Sequence, residues 1–378
     1  MRTVIGVNDP QAVKKWSLML AASINKSSYF TRKFMKSGKD ARVPIQMITD
    51  LESDAGDAIT VDLLMPMTME PIISSDTLDG KEQPLKYYTD KLTIDQVRGG
   101  VDLGDRMTRK RTLRDIRGDA KRAMSDWWKR LFDELFFIYL SGVSPQAATS
   151  AGFVWSANNP FFSVNPITAP DSMHMLYGNN ATAKTDVGND DGYDLRLIDR
   201  AVAKAETMGG DSTGEISMLP VEIEGEEGVY VNLMHTFQFD ALKSNTQIGQ
   251  WLDIQKAAAA SQGQSNPIFS GAEGRYNNTI IHKHRNVLRF SDYGVDAKQP
   301  AARALFMGAQ AAFIGFGSPG SGLRFDWTEE VKDHGNSVRI GSNSIFGVKK
   351  ATYKSKDNSV VRDFGVFAID TYCKDPNA

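Results

Sequence analysis

The chain has 378 residues, with 44 lysines and arginines against 46 aspartates and glutamates, a formal charge of −2. That balance excludes a strongly basic nucleic-acid binder, and a hydrophobic content of 41% excludes global disorder while allowing two or more lobes. The single cysteine, Cys373, cannot form an internal disulfide, which suits synthesis in a reducing cytoplasm, and no run approaches the ~18 apolar residues of a membrane span.

Asp9-Pro10 is a good helix start, so residues 10–25 read as a short amphipathic helix rather than a secretion signal. Residues 26–58 are polar, with a basic cluster at Arg32, Lys33, Lys36, Lys39 and Arg42, and read as a solvated, mobile arm. The β-branched run 58–65 is a strand, and Pro66 and Pro71 confine the next stretch to an edge or an extended loop. Asp79-Gly80 marks a turn, after which Leu85, Tyr87, Leu92, Ile94 and Val97 restore strand patterning. Residues 58–103 therefore form a hairpin-like arm with a polar tip. It has too few large apolar residues to bury itself and needs a surface to lie on.

No proline occurs between Pro84 and Pro145. The spacing predicts a helix over 104–142 of about 36 residues, roughly 54 Å long, against a usual length of about 11–12 residues. Leu113, Ile116, Ala120, Met124, Trp127, Leu131, Leu135 and Ile138 make its apolar stripe. Gly118 weakens the middle by ~1 kcal/mol relative to alanine and marks a candidate bend. The N-terminal half carries Arg106, Arg109, Lys110, Arg111, Arg114, Arg117, Lys121 and Arg122. This basic face reads as solvated or salt-bridged to another subunit, ahead of a phosphate-contacting one.

Residues 143–192 read as a surface excursion, followed by helices at 195–208, 237–243 and 249–260 and strands at 229–234, 279–284 and 287–290. The small-residue run 301–314 reads as a helix, and the tail as strands near 337–340, 346–353 and 363–372. The pattern is α+β without regular βαβ alternation.

Chemistry is sparse. Gly315-Phe-Gly317-Ser-Pro-Gly320 has the letters of a dinucleotide fingerprint, but it follows an expected helix and opens none. No nucleotide P-loop and no G-x-S-x-G elbow occurs. His282 and His284 share a strand face without further ligands and read as a surface pair. The acidic pairs are sequence neighbours, as in solvated turns, with nothing to place them across a cleft. The expectation is a non-enzyme with no cofactor and no metal.

The order of parts, an N-terminal arm, a long hairpin arm, a spine-like helix and a return into strands, resembles the major capsid proteins of tailed bacteriophages, built on the Hong Kong 97-type fold. More narrowly it is similar to the family typified by phage N-four. The residues carrying this are Asp79-Gly-Lys-Glu-Gln-Pro-Leu85, Arg111-Thr-Leu-Arg-Asp-Ile-Arg117 with Trp127 and Leu140-Ser-Gly142, Asn266-Pro-Ile-Phe-Ser-Gly271 with Gly274-Arg-Tyr276, and Asp363-Phe-Gly-Val-Phe367. The 143–192 excursion has no counterpart in that pattern.

The resemblance implies an N-terminal arm at 1–57, an extended loop at 58–103 lying across a neighbour, and a peripheral lobe at 104–192. It implies an axial lobe near 193–325 and peripheral return strands at 326–378. Asp79, Lys81, Glu82, Arg106, Arg109, Lys110, Arg114 and Arg117 become candidate intersubunit contacts, and Trp127, Leu131, Leu135 and Ile138 the core of the spine helix. The implied partners are further copies in hexamers and pentamers, a separate scaffolding protein, a portal and decoration proteins, with packaged double-stranded DNA touched weakly and non-specifically. The alternatives are an encapsulin-like cargo shell of the same fold, or a soluble nucleic-acid-binding protein using the basic helix face.

Overall fold

A computed structural model describes residues 17–24, 28–38, 42–52, 56–64, 67, 69–73, 76–82, 84–85, 87–145, 152–209, 216–223, 226–244, 272–318, 323–354 and 361–376. The helix expected at 249–260 and the 266–271 motif lie outside them. Two sheets and one helix organise the rest. The 14-residue strand Ser337–Lys350 is the axis of the first sheet. It pairs antiparallel with Asp326–Lys332 and Ala312–Gly317, and with Asp95–Asp102. Ile45–Ile48 runs parallel to Ala312–Gly317, and Met35–Ser37 parallel to Ile45–Ile48. Along the long strand Ile340, Ser342, Ser344 and Phe346 are buried at every second position, as one face of a pleated strand requires.

The helix Ile116–Ser141 packs on that sheet. Trp128 and Phe132 meet Phe325 and Phe346 edge-on or tilted, and the buried Trp128 indole N–H donates to Ser342 Oγ at 3.0 Å. From Leu131 to Ser141 every residue is buried, so this end of the helix is enclosed on all sides. It stops at Gly142, whose φ of 64° is left-handed and whose N–H bonds to Ile138 O at 3.0 Å. A Cβ there would sit 2.3 Å from Thr168 O.

The second, eight-stranded sheet is centred on Val366–Tyr372, Gln299–Met307, Glu226–Met234 and Thr279–Lys283. The helix Leu195–Thr207, capped by Asp194 on Leu197 N at 3.0 Å, buries Leu197, Ile198, Ala201, Val202 and Ala205 in the core beside this sheet. Buried Arg303 joins the sheet to the end of the long helix. It grips Asp370 through Nε at 2.7 Å and Nη2 at 2.6 Å, and gives Nη1 to Ser141 O at 2.9 Å.

Several expectations are corrected. The single rod is two helices, Arg106–Arg111 and Ile116–Ser141, separated by an extended Thr112. Like charges four apart and only Met107 and Leu113 as large apolar residues leave the first part no face to bury. Leu113 is fully exposed, off the stripe, and Gly118 lies in the first turn of the second helix rather than at a bend. The 28–52 segment is no solvated arm. Phe30, Phe34 and Ile45 are fully buried, with Phe30 against Phe136 and Phe137, while Arg32, Lys36 and Arg42 face outward.

The 301–314 run is two strands, not a helix. Its alanines suit helical propensity, but Ala301, Ala302 and Ala304 lie buried in a central strand and Ala312 opens the next, where close packing favours small side chains and tertiary context overrides propensity. Gly315 and Gly317 are strand glycines, and a Cβ on Gly317 would lie 2.9 Å from Ile94 Cδ1 and Ile345 Cγ2. The dinucleotide reading thus fails because the next described element is a strand, not because a helix precedes it. The 143–192 stretch is no surface excursion in its described part, since Trp155, Phe161, Phe162 and Val187 are buried and Met175–Tyr177 joins the second sheet. His282 is buried against Phe34, and His284 lies between Tyr29 and Phe137. Tyr29 and Phe34, from the segment expected to be a solvated arm, pack on them together with Phe137.

Candidate assembly site

The arm is a two-stranded ribbon, Ala58–Leu64 paired antiparallel with Tyr87–Thr93 in the register Ala58↔Thr93 to Leu64↔Tyr87. Asp95–Asp102, which the sequence assigned to the arm, runs along Ser337–Lys350 in the first sheet. The ribbon is held against the body along its length, with Val61, Leu63 and Tyr88 packed beside the cluster that buries Leu92. Leu92 is buried with Phe313, Ala351, Tyr353 and Phe364. The Asn165 side chain completes a two-way clamp on Thr93, accepting its N–H at 3.0 Å and donating to its carbonyl at 2.7 Å. Asp90 takes the Lys349 ammonium and the Thr352 hydroxyl. A groove of about 290 Å³ runs beside this root, lined in part by Asp50, Asp62, Asp90 and Phe313.

Beyond the paired strands most of the large apolar side chains among the described arm residues are exposed. Met67, Ile73, Leu78, Leu85 and Tyr87 are all more than half exposed, with Ile73 at 77%. Asp79 and Gly80 form the tip turn, closed by Lys81 N–H to Leu78 O at 3.0 Å, with Gly80 at φ 82°. Glu82 accepts from Gly80 N at 2.8 Å, and the Lys81 ammonium lies 3.7 Å from Asp76. The expected tip residues Asp79, Lys81 and Glu82 therefore share one small, solvent-facing turn.

The basic residues divide. Arg106 Nε donates to Gly335 O at 3.1 Å and Arg109 Nη2 to Asn336 O at 2.8 Å, so both hold the 333–336 turn of the same chain. Arg117 pairs with Glu329 at 2.5 Å. Lys110, Arg111 and Arg114 stand exposed and form no ion pair among the described residues. No ion pair among those residues links Asp79 or Glu82 to the basic helix. Leu131, Leu135 and Ile138 are core, whereas Trp127 is only partly buried and its neighbour Trp128 takes the central place.

Two carboxylates that the sequence reading passed over position the surrounding chain. Asp133, buried, accepts from Ser28 Oγ at 2.8 Å, Tyr29 N at 3.0 Å and Phe30 N at 3.3 Å. Glu134, also buried, accepts from Val154 N at 2.6 Å. Burial raises both carboxyls above their ordinary range, against the pull of those hydrogen bonds. An acidic pair inside an otherwise apolar helix segment was the available signal. Burial, aided by Arg285 and Lys33, lowers His284 to about 4, so it is neutral near pH 7. Among the described residues no group of three or more His, Cys, Asp or Glu is arranged to hold a metal ion, and no helix is long and apolar enough to cross a membrane.

The arrangement is an anchored body with a projecting, partly apolar arm. A family described as phage capsid protein matches residues 4–375. The capsid of Ralstonia phage GP4 is 45% identical, each chain covered in full, with a TM-score of 0.83. The major capsid protein of Pseudomonas phage KPP25 is 23% identical over 94% of this chain and 93% of its own length. The capsid asymmetric unit of cyanophage Pam1 shares the fold at a TM-score of 0.65 and 17% identity, with 92% and 93% of the two chains covered. On a match of this extent the chain belongs to the phage capsid protein family.

Proposed function

We propose that this major capsid protein builds the virion shell through its 58–93 arm, which lies across a neighbouring copy. As a capsid protein it assembles with many copies of itself. The observation carrying the reading is the row of apolar side chains from Met67 to Tyr87 that the arm leaves uncovered in a single chain. Repeated contacts on a symmetric shell would cover them. In this reading the role is structural, without a catalytic step. The shell is icosahedral, made of hexamers and pentamers with 193–325 as the axial lobe, and encloses double-stranded DNA that it touches weakly. A separate scaffold, a portal and decoration proteins complete the head.

Removing residues 74–84 tests the arm. The expected product is a folded subunit, with unchanged circular dichroism, that forms no shells by negative-stain microscopy. Normal particles from that deletion would overturn the reading.

A further inference from the structure

The strands Glu226–Met234 and Thr279–Lys283 run parallel, with Met234 level with Lys283. One residue past each stands a histidine, His235 and His284, and His284 N–H donates to Met234 O at 3.0 Å. His235 is buried and His284 partly so. Both rings make the same bond two residues ahead. His235 Nδ1 accepts the Phe237 N–H at 3.1 Å, and His284 Nδ1 accepts the Asn286 N–H at 3.1 Å. A backbone N–H can only donate, so each Nδ1 carries a bare lone pair and each ring is neutral. The His235 ring also bonds the Arg285 backbone, which ties one turn to the other.

The surroundings oppose a proton on either ring. His235 meets the Phe237 ring edge-on at 4.7 Å, and the Arg289 guanidinium already lies over that ring at 4.7 Å. Asp375 favours a charged His235 but is outweighed by burial and Arg289. His284 lies between the Tyr29 ring at 4.6 Å and the Phe137 ring at 4.9 Å, with Lys33 and Arg285 facing it. Glu273, which acts on Tyr29, is paired with Lys283 at 3.0 Å. Aromatic faces favour a cation, but they cannot replace the bond lost at Nδ1. Both rings are lowered to about 4, chiefly by burial.

A proton on Nδ1 sets one N–H against another, and the ring must turn away. At His235 that frees the first turn of the helix Thr236–Ser244, which Gln238 joins to the second sheet by accepting His235 N–H at 2.8 Å and donating to Ala302 O at 2.9 Å. At His284 it frees the turn closed by Val287 N–H on His284 O. We propose that His235 and His284 form an acid-operated latch: a proton on either ring breaks its backbone bond and releases the 236–244 helix or the 284–287 turn from the strand ends, while the sheets stay folded. The proposal is independent of the arm reading. An unperturbed imidazole takes its proton near pH 6.5. These rings resist until about 4, so the closed form is fully favoured above 6.5 and loses ground as pH falls toward 4.

The test is amide hydrogen exchange on the full, unassembled chain at pH 7 and pH 4.5, with rates corrected for the intrinsic effect of pH. It compares the native chain with His235→Asn, His284→Asn and the double variant, because an asparagine Oδ1 can stand in for Nδ1 as acceptor and does not titrate. In the native chain, exchange in 236–244 and 284–287 is expected to rise on the order of tenfold or more at pH 4.5, while Ile116–Ser141 stays within about twofold. The double variant is expected to lose the rise in both segments. Each single variant is expected to lose it in its own segment and keep it in the other, which decides the matter should the double variant fail to fold. No rise in either segment of the native chain, or a rise of the same size in the asparagine variants, overturns the latch.

Discussion

At the scale of single residues, stability follows burial and the fate of buried charge. Trp128 is fully enclosed and hydrogen-bonded to Ser342, whereas Trp127 covers Gly99 with one face to solvent. Trp128→Ala is expected to cost about 3–5 kcal/mol and Trp127→Ala clearly less, measured by chemical denaturation of the unassembled subunit. Equal losses would contradict the packing described. Asp171 is a different case. Burial opposes its charge, but the His174 ring at 2.8 Å and the N–H groups of Asp363 and Met173 outweigh that and hold its carboxyl far below the usual range. A depressed carboxyl stabilises the fold above the unfolded value near 4 and loses that contribution as pH falls below it. Asp171→Asn should therefore destabilise by on the order of 2–3 kcal/mol at pH 7, and the gap to the native chain should narrow on acidification to pH 3. A gap independent of pH would show that the charge is not what matters.

Among elements, the arm and the long helix differ in how they are held. The helix is fixed from several directions, by Asp133 on the 28–30 segment, Glu134 on Val154 and Arg303 on Ser141 O. The arm is held along its paired strands, and at their root Asn165 imitates a strand partner for Thr93. Asn165→Ala removes both bonds. It should speed amide exchange in Tyr87–Thr93 several-fold while leaving exchange in Ile116–Ser141 unchanged. Uniformly faster exchange would mean that Asn165 supports the whole core rather than the root.

Across the whole molecule, what was legible in the sequence is what local pattern encodes. The amphipathic stripe from Ala120 onward, the Asp79-Gly80 turn, the Leu195–Thr207 helix, the buried strand at 229–234 and a strand near 279–284, though not its burial, were readable, because periodicity and turn chemistry are short-range. So was an arm too poor in apolar residues to bury itself. The rest was set by contacts distant in sequence. Sheet centrality turned the alanine-rich 301–314 run into strands, since an alanine buried in close-packed surroundings is indifferent to its own helical preference. Pairing with Ser337–Lys350 took Asp95–Asp102 out of the arm and into the body. The absence of any apolar face ended the first helix at Arg111. Asp133 and Glu134, Arg303 with Asp370, and Asn165 with Thr93 find their partners 20 to 105 residues away. No local signal can encode partners at such separations, and only tertiary structure brings them together.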